Sequence, residues 1–189
     1  MIEHVYRRAS AASCVSQVIV ATDDLRIATR VSAFGGRVRL TKATHQSGTD
    51  RLAELVAGMD VDIVVNVQGD EPFVQRSAIT GAVRLVTDGR AMYFSRAPIP
   101  YLRDSEDAAM QRPLIWQHIG VYAYQAGALQ NWVSLPASPL EEVERLEQLR
   151  PLVAGIPMGV SLIDEPGSPG IDTEADLERA NRDWVSTIG

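Results

Sequence analysis

The apolar residues of this chain follow two spacings, one typical of helices and one typical of strands. Ile2, Val5, Tyr6 and Ala9 recur at the spacing of an amphipathic helix, so the chain is predicted to begin inside a helix. Shorter runs rich in apolar residues predict strands at 17–22, 37–41, 62–68, 91–95, 116–124 and 156–163. The run 62–68 is apolar almost without interruption, which is typical of a strand covered on both faces.

Capping residues mark where several helices begin. Ser138-Pro-Leu-Glu141 is a capping box with proline at the first helical position, and it predicts a helix that ends at about Val153. Thr173-Glu-Ala-Asp176 opens the last helix in the same way, and further helices are predicted at 24–34 and 50–57. Strands that alternate with helices predict a single α/β domain over residues 1–189, with a mostly parallel sheet and helices on both faces.

Two places depart from that regular alternation. A domain of this kind normally begins with a strand, whereas this chain begins in a helix. The helix expected after Glu71-Pro72 runs into Ala82-Val-Arg-Leu-Val86, which has the composition of a strand, with only Gly81 between them. The junction near residues 79–86 is therefore abrupt.

Composition narrows the class of protein. With 189 residues, 46% of them hydrophobic, the chain can bury one sizeable core. A net charge of −6 argues against a nucleic-acid surface, which needs a basic face. Cys14 is the single cysteine, which excludes an internal disulfide and fits a reducing compartment. No apolar run is long enough to span a membrane and Met1 does not begin a signal peptide, so we expect a cytoplasmic protein without a membrane partner.

The first polar cluster, Gln68-Gly-Asp-Glu-Pro72, comes directly after the strand 62–68. In open α/β sheets, ligands bind beyond the carboxyl ends of the strands. Gly69 lets the backbone approach a ligand, and Asp70 offers a hard oxygen ligand for Mg²⁺. The alternative is a turn in which Asp70 or Glu71 caps the next helix, and the motif alone leaves both open.

The second cluster is the glycine- and proline-rich loop 166–173, which leaves Asp172 beside the start of the last helix. Taken alone, Asp172 is more simply interpreted as a charge favoured by the helix dipole. Two acidic loops at strand ends nevertheless favour a shared metal, since Mg²⁺ is commonly held by one or two carboxylates and substrate phosphates.

The third cluster, His45-Gln-Ser-Gly-Thr-Asp-Arg51, runs into a predicted helix. Its backbone N–H groups and Arg51 suit phosphate or base recognition. The alternative is a solvated loop with Thr49 or Asp50 as the helix cap.

Later segments supply further candidates. Arg96 follows a predicted strand, and His118 and Tyr122 lie at even spacing on another, so that they point to the same face. Glu147 and Gln148 lie on a predicted helix, where such residues usually form a solvated face.

Taken together, eight strings resemble the CMP-Kdo synthetase family, whose members join CTP to the eight-carbon sugar acid Kdo. They occur in the family's order over nearly the whole chain: IVATD at 19–23, HQSGTDRLAE at 45–54, VNVQGDEP at 65–72, YFSRAPIP at 93–100, HIGVY at 118–122, SPLE at 138–141, LEQLR at 146–150 and GIDT at 170–173. Each string alone is weak evidence for the family, whereas their occurrence together and in this order is specific to it.

The resemblance implies a nucleotide-diphospho-sugar transferase fold, a homodimer, and the reaction of CTP with Kdo to give CMP-Kdo and pyrophosphate for lipopolysaccharide synthesis. It also implies that Asp70 and Asp172 are catalytic and hold Mg²⁺. The residues expected near the nucleotide are Ser47, Gly48, Arg51 and Gln68. Those expected around the sugar acid are Arg96, His118, Tyr122, Glu147 and Gln148, with Arg96 on the carboxylate.

The chain also departs from the family pattern. The family begins with a strand and an Arg- and Lys-bearing loop that wraps the CTP phosphates, and Met1 aligns with the helix after that loop. A second family segment, a strand with its flanking loops, has no counterpart near residues 79–82. Two alternatives therefore stay open: a non-catalytic homologue that binds a partner or dimerises, and a cytidylyltransferase for another sugar acid such as sialic acid.

Overall fold

The computed structural model describes residues 1–84, 89–165, 170, 171 and 173–188, with the backbone alone for 184–188. The helices are α1 (Ile2–Ser10), α2 (Leu25–Ala33), α3 (Gly48–Val56), α4 (Arg76–Val83), α5 (Ala108–Gln111), α6 (Ala126–Ser134), α7 (Pro139–Glu144), α8 (Leu149–Val153) and α9 (Glu174–Ile188). The strands are β1 (Val20–Thr22), β2 (Val38–Leu40), β3 (Ile63–Val67), β4 (Gly89–Arg90), β5 (Val121–Gln125) and β6 (Gly159–Val160). Within this described part, no helix combines the length and apolar character that crossing a membrane requires.

The local signals in the sequence explain most helix boundaries. Asp24 caps α2 by accepting a hydrogen bond from the backbone N–H of Arg26, and Gly35 follows that helix with a φ of 78°, a conformation that favours glycine. The cap of α3 is Ser47, whose hydroxyl accepts from the N–H of Asp50, and not Thr49 or Asp50 as in the alternative interpretation of that loop.

The strands form three separate pairs. β1 and β2 are parallel, with Val20 opposite Val38. β3 and β5 are antiparallel, with Val67 opposite Val121, and β4 and β6 are antiparallel as well. Across the described ranges each sheet has two strands, so every strand keeps one edge without a strand partner.

Two apolar clusters lie on opposite faces of β3 and form the core. One contains Val64 with residues of α3, β5 and α6, and its buried members are Ala53, Val56, Val64, Tyr124, Leu129 and Trp132. The other packs Val65 and Val67 against the buried residues Ala9, Ala12, Val74 and Ile79. The prediction that the strand 62–68 is covered on both faces is thereby confirmed.

Three predicted elements differ from those observed in type or in continuity, and the predicted strands 116–124 and 156–163 are found only as Val121–Gln125 and Gly159–Val160. Residues 91–95 are not a strand: after the N–H of Ala91 donates to Met158 O, the chain leaves the sheet and Ser95 binds Glu144 instead. The predicted helix 138–153 is divided into α7 and α8 because Arg145 adopts a left-handed conformation. At the abrupt junction, helix α4 continues through Val83 where a strand was expected, and residues 85 and 86 lie outside the described part.

Residues 91–117, here called the exposed segment, contain no buried residue. They form one short helix, α5, between two 3₁₀ turns, and they present several large apolar side chains to solvent. Met92 is 93% exposed and Tyr101 is 85% exposed, and Met110, Leu114 and Trp116 are exposed as well. So much apolar surface on one segment is typical of a contact surface.

Candidate substrate cavity

One cavity of about 460 Å³ lies where the start of α3, strands β3 and β5, and residues 145–148 meet. A volume of several hundred Å³ is typical of small-molecule sites. Six residues selected from the sequence line it: Gln68, Arg96, His118, Tyr122, Glu147 and Gln148. Segments far apart in the sequence therefore converge on one site.

Residues 145–148, here called the α7–α8 turn, are held by the helices on either side. Ser138 and Glu141 form the expected capping box at the start of α7. Arg150 of α8 donates to both carboxylate oxygens of Glu141, at 2.8 and 2.6 Å. Because both side chains are largely buried, 15% and 11% exposed, this ion pair fixes the two helices to each other.

The electrostatics of Glu141 reflect two opposing effects. Burial raises the pKa of its carboxyl group, whereas the hydrogen bonds from Arg150 and from the backbone of Ser138 lower it, and the net result is a lowered pKa. Glu141 is therefore ionised at neutral pH and holds Arg150 in place.

The turn carries two polar side chains into the cavity wall. Glu147 accepts a hydrogen bond of 2.7 Å from the hydroxyl of Thr49. Gln148 is 4% exposed, and its Nε2 atom has no hydrogen-bond partner among the described residues. A buried amide donor without an acceptor is unfavourable by itself, so it indicates a place where a ligand oxygen can bind.

His118 and Tyr122 form a hydrogen-bonded aromatic pair. The Tyr122 hydroxyl and His118 Nε2 lie 2.7 Å apart, and the ring of Phe94 lies 5.0 Å from that of His118. Although part of His118 remains exposed, loss of surrounding water lowers its pKa, so the ring is neutral at pH 7. Burial also raises the pKa of Tyr122, which keeps its hydroxyl protonated.

The sequence analysis did not select several other residues that line the cavity, among them Thr49, Asn66, Tyr124, Trp132 and Arg145. Burial raises the pKa of Tyr124 to about 12, against the opposing effect of hydrogen bonds with Thr49 and Asn66. Asn66 could have been noticed, because it is the one side-chain amide inside the apolar run of β3.

Arg96 reaches the cavity, but two of its side-chain N–H donors are already bonded to backbone carbonyls. Its Nε donates to Glu144 O at 2.8 Å and its Nη2 to Arg145 O at 3.0 Å. The Glu144 carboxylate in turn accepts from the N–H of Arg96 and from Ser95. Since a guanidinium has five N–H donors, three remain for a ligand.

Of the four residues expected near the nucleotide, Ser47, Gly48 and Arg51 lie at the start of α3 and Gln68 follows β3. Gln68 is the one of the four that lines the cavity. Gly48 adjoins that residue: a Cβ placed on it would lie 3.7 Å from the Gln68 amide nitrogen. Ser47 is the helix cap. Arg51 donates to Thr41 at 2.5 Å and pairs with Asp23 at 3.2 Å, so it links α3 to the ends of β1 and β2.

Asp70 and the loop containing Asp172 approach each other through the backbone. The N–H of Ile171 donates to Asp70 O at 3.0 Å. Asp172 itself lies outside the described residues, and within those residues no cluster of three His, Cys, Asp or Glu side chains is found. The shared metal site stays a prediction.

Comparison with known proteins gives a consistent result. A model of the cytidylyltransferase family matches residues 1–86 and 82–160. The 3-deoxy-manno-octulosonate cytidylyltransferase of Gemmatimonas aurantiaca is 44% identical over 217 aligned positions, covering 97% of this chain and 84% of the relative. The enzyme of that name from Solibacter usitatus is 40% identical, covering 100% of this chain and 85% of the relative.

A solved structure extends the likeness to three dimensions. CMP:2-keto-3-deoxy-manno-octonic acid synthetase, complexed with CTP, is 35% identical and superimposes with a TM-score of 0.87. The match covers 98% of this chain and 88% of that one. The α/β fold expected from the sequence is thereby confirmed.

Proposed function

The chain belongs to the 3-deoxy-manno-octulosonate cytidylyltransferases, and from that premise we propose that its cavity joins CTP to Kdo, with release of pyrophosphate. The anomeric hydroxyl of the sugar acid attacks the α-phosphorus of CTP in line with the leaving pyrophosphate. Such a reaction depends on positioning two substrates and on stabilising the charge that develops on the phosphates.

The observation that carries this proposal is the unpaired donor of Gln148 in a cavity lined by other hydrogen-bonding groups. Gln148, Glu147 and the His118–Tyr122 pair offer donors and acceptors on one wall, as a polyhydroxylated sugar requires. We assign these residues and Arg96 to the sugar acid. Because two donors of Arg96 are occupied, its remaining N–H groups are those that would bind the carboxylate.

We assign the nucleotide to the start of α3. Gly48 and Gln68 adjoin each other there, and the helix N-terminus offers backbone N–H groups for anionic or polar groups of CTP. Ser47 and Arg51 serve this region by holding the helix in place, Ser47 as its cap and Arg51 through Thr41 and Asp23.

We propose that Asp70 and Asp172 hold Mg²⁺ when nucleotide is bound. Carboxylate oxygens are the ligands this ion prefers, and the hydrogen bond between Ile171 and Asp70 supports an approach of the two loops. When bound, the ion supplies positive charge that stabilises the transferring phosphate. In the Asp70→Asn variant, turnover should require a higher Mg²⁺ concentration, whereas Asp60→Asn, at an exposed position, should keep the wild-type dependence.

The reaction is tested by mixing purified protein with CTP, Mg²⁺ and either Kdo or N-acetylneuraminate, and measuring pyrophosphate. We expect pyrophosphate to be released with Kdo but not with N-acetylneuraminate. The second product, the CMP-sugar, should be detected by chromatography. Release with N-acetylneuraminate instead would assign the protein to another sugar acid.

A non-catalytic homologue is the second candidate. The 217 positions aligned with the Gemmatimonas enzyme exceed the 189 residues of this chain, and the family model matches in two overlapping segments. We propose that a family segment near residues 79–82 has no counterpart here. Binding of CTP, measured by calorimetry, without release of pyrophosphate from CTP in the presence of any sugar acid would support the non-catalytic function.

We also propose that two copies associate through the exposed segment, and that the protein acts in the cytoplasm, where its single thiol would stay reduced. Exposed apolar side chains such as Met110 and Trp116 are suited to a contact between copies. Light scattering after gel filtration should show a dimer, which Met110→Asp should weaken. Leu25→Asp, at an exposed apolar position on α2, is the matched control, and a monomeric wild type would contradict the proposal.

A further inference from the structure

Arg145 lines the cavity, and no described residue forms an ion pair with its guanidinium. Its guanidinium has no hydrogen bond or ion pair among the described residues, and it is exposed to the cavity. The other arginine of the wall, Arg96, gives two donors to backbone carbonyls, one of them that of Arg145. An arginine held by its neighbours while its own side chain stays unpaired is available to a ligand.

The backbone of Arg145 gives an independent argument. It has φ 54° and ψ 44°, and it is the one residue other than glycine with positive φ in the described part of the chain. At the end of a helix this conformation usually belongs to glycine, since a Cβ there costs free energy. An arginine at such a position is consistent with a function of its side chain.

The surrounding hydrogen bonds keep that strained backbone in place. The N–H of Arg145 donates to Glu141 O within α7, and its carbonyl accepts from Arg96. Glu141 is itself held by Arg150. The side chain therefore projects from a fixed turn, which lowers the entropy lost when it binds an anion.

We propose that Arg145 binds an anionic group of a substrate, a carboxylate or a phosphate, and so sets the affinity of the cavity for charged substrates. This inference rests on the proposed function, because both substrates of that reaction carry such groups. Glu147, two residues further on, accepts a hydrogen bond from Thr49 of α3. A guanidinium matches planar and tetrahedral oxyanions through paired N–H donors.

The test compares Arg145→Gly, Arg145→Gln and Arg145→Lys with wild type in steady-state kinetics, varying Kdo and CTP in turn. We expect KM for one substrate to rise about tenfold in the Gly and Gln variants with little change in kcat, the size typical of a lost charged hydrogen bond. Lysine should restore part of the affinity. A rise for Kdo identifies the carboxylate and a rise for CTP identifies a phosphate. Arg182→Gln, at an exposed position on α9, is the matched control.

Arg145→Gly separates a functional from a structural role. Because glycine relieves the left-handed backbone, the variant should unfold about 2 °C higher than wild type while it binds the substrate less tightly. A lower melting temperature with unchanged KM for both substrates would overturn the proposal. If wild type shows no turnover, calorimetric titration with Kdo and with CTP decides instead: unchanged affinity of Arg145→Gln for both, or no binding of either by wild type, contradicts it.

Discussion

The α7–α8 turn and the exposed segment meet at the same cavity, and they are stabilised in opposite ways. The turn is enclosed by a capping box, a largely buried ion pair and the fully buried Leu149. The exposed segment buries none of its residues. Tyr93, Ser95 and Arg96 join it by hydrogen bonds to Glu144, the last residue of α7, and Arg96 also joins it to Arg145 of the turn.

This difference indicates a division of roles. Groups that must keep a fixed geometry need supporting contacts of their own, and the turn has them. A segment that packs weakly against its own chain can adapt to a ligand or a second copy at little cost. The following substitutions test whether stability resides in the turn and adaptability in the exposed segment.

Replacing Leu149 with alanine should have the largest effect. Leu149 is 0% exposed, and the cavity left by such a truncation lowers the free energy of unfolding by about 3 kcal/mol. Met92→Ala is the matched truncation in the exposed segment, and it should change the free energy of unfolding by less than about 0.5 kcal/mol. Urea unfolding followed by circular dichroism measures both, and equal losses would remove the distinction between the two regions.

Replacing Glu141 with alanine should cause the second-largest loss of stability. It leaves the guanidinium of Arg150 without its partner in a largely buried position and removes half of the capping box, for a loss of about 2–3 kcal/mol. Glu142→Ala, on the exposed face of α7, is the control and should have little effect. If the two variants unfold at the same urea concentration, the ion pair does not stabilise the turn.

The same carboxylate predicts a pH dependence. The folded state lowers the pKa of Glu141 below its ordinary value of 4.5, so its contribution is fully present above that pH and is lost as the pH falls through the folded value. The wild type should therefore lose stability on acidification below pH 4.5 more steeply than Glu141→Gln. Parallel melting temperatures of the two proteins between pH 6 and pH 3 would contradict this assignment.

The smallest effect is expected where the two regions join. Ser95 donates to Glu144 at 2.8 Å and accepts from the N–H of Ala97, so Ser95→Ala should lower the free energy of unfolding by about 1 kcal/mol or less. Ser105→Ala, in the same segment, has no such contact with the turn. Differential scanning calorimetry of the two variants measures the difference, and a loss as large as that of Leu149→Ala would show that the regions are not separable.

The sequence predicted well the features that depend on neighbouring residues. The capping box at Ser138 appears as expected, and the helix predicted at 24–34 is found at Leu25–Ala33. Both are marked by signals of a few consecutive residues, which for the second helix are the cap at Asp24 and the glycine at Gly35. Six of the candidate site residues also meet at one cavity, because the ends of strands and helices at one side of the sheet converge there.

The features that were missed depend on contacts between distant residues. Nothing near Arg145 in the sequence indicates a left-handed residue, because Arg96, 49 positions away, helps to hold that turn. Residues 91–95 have the composition of a strand, but hydrogen bonds to Glu144 replace a strand partner there. Periodicity describes which face of an element is apolar, and it does not identify the partner.

The pairing of strands in twos has a practical consequence for handling the protein. Within the described ranges, each strand leaves one row of backbone N–H and C=O groups without a strand beside it. Such rows can recruit strands from other molecules, and the five residues of β3 and of β5 offer longer rows than the two of β4 or β6. Aggregation should therefore increase steeply with protein concentration. Storing the protein cold and dilute should keep it monodisperse for longer than storing it concentrated.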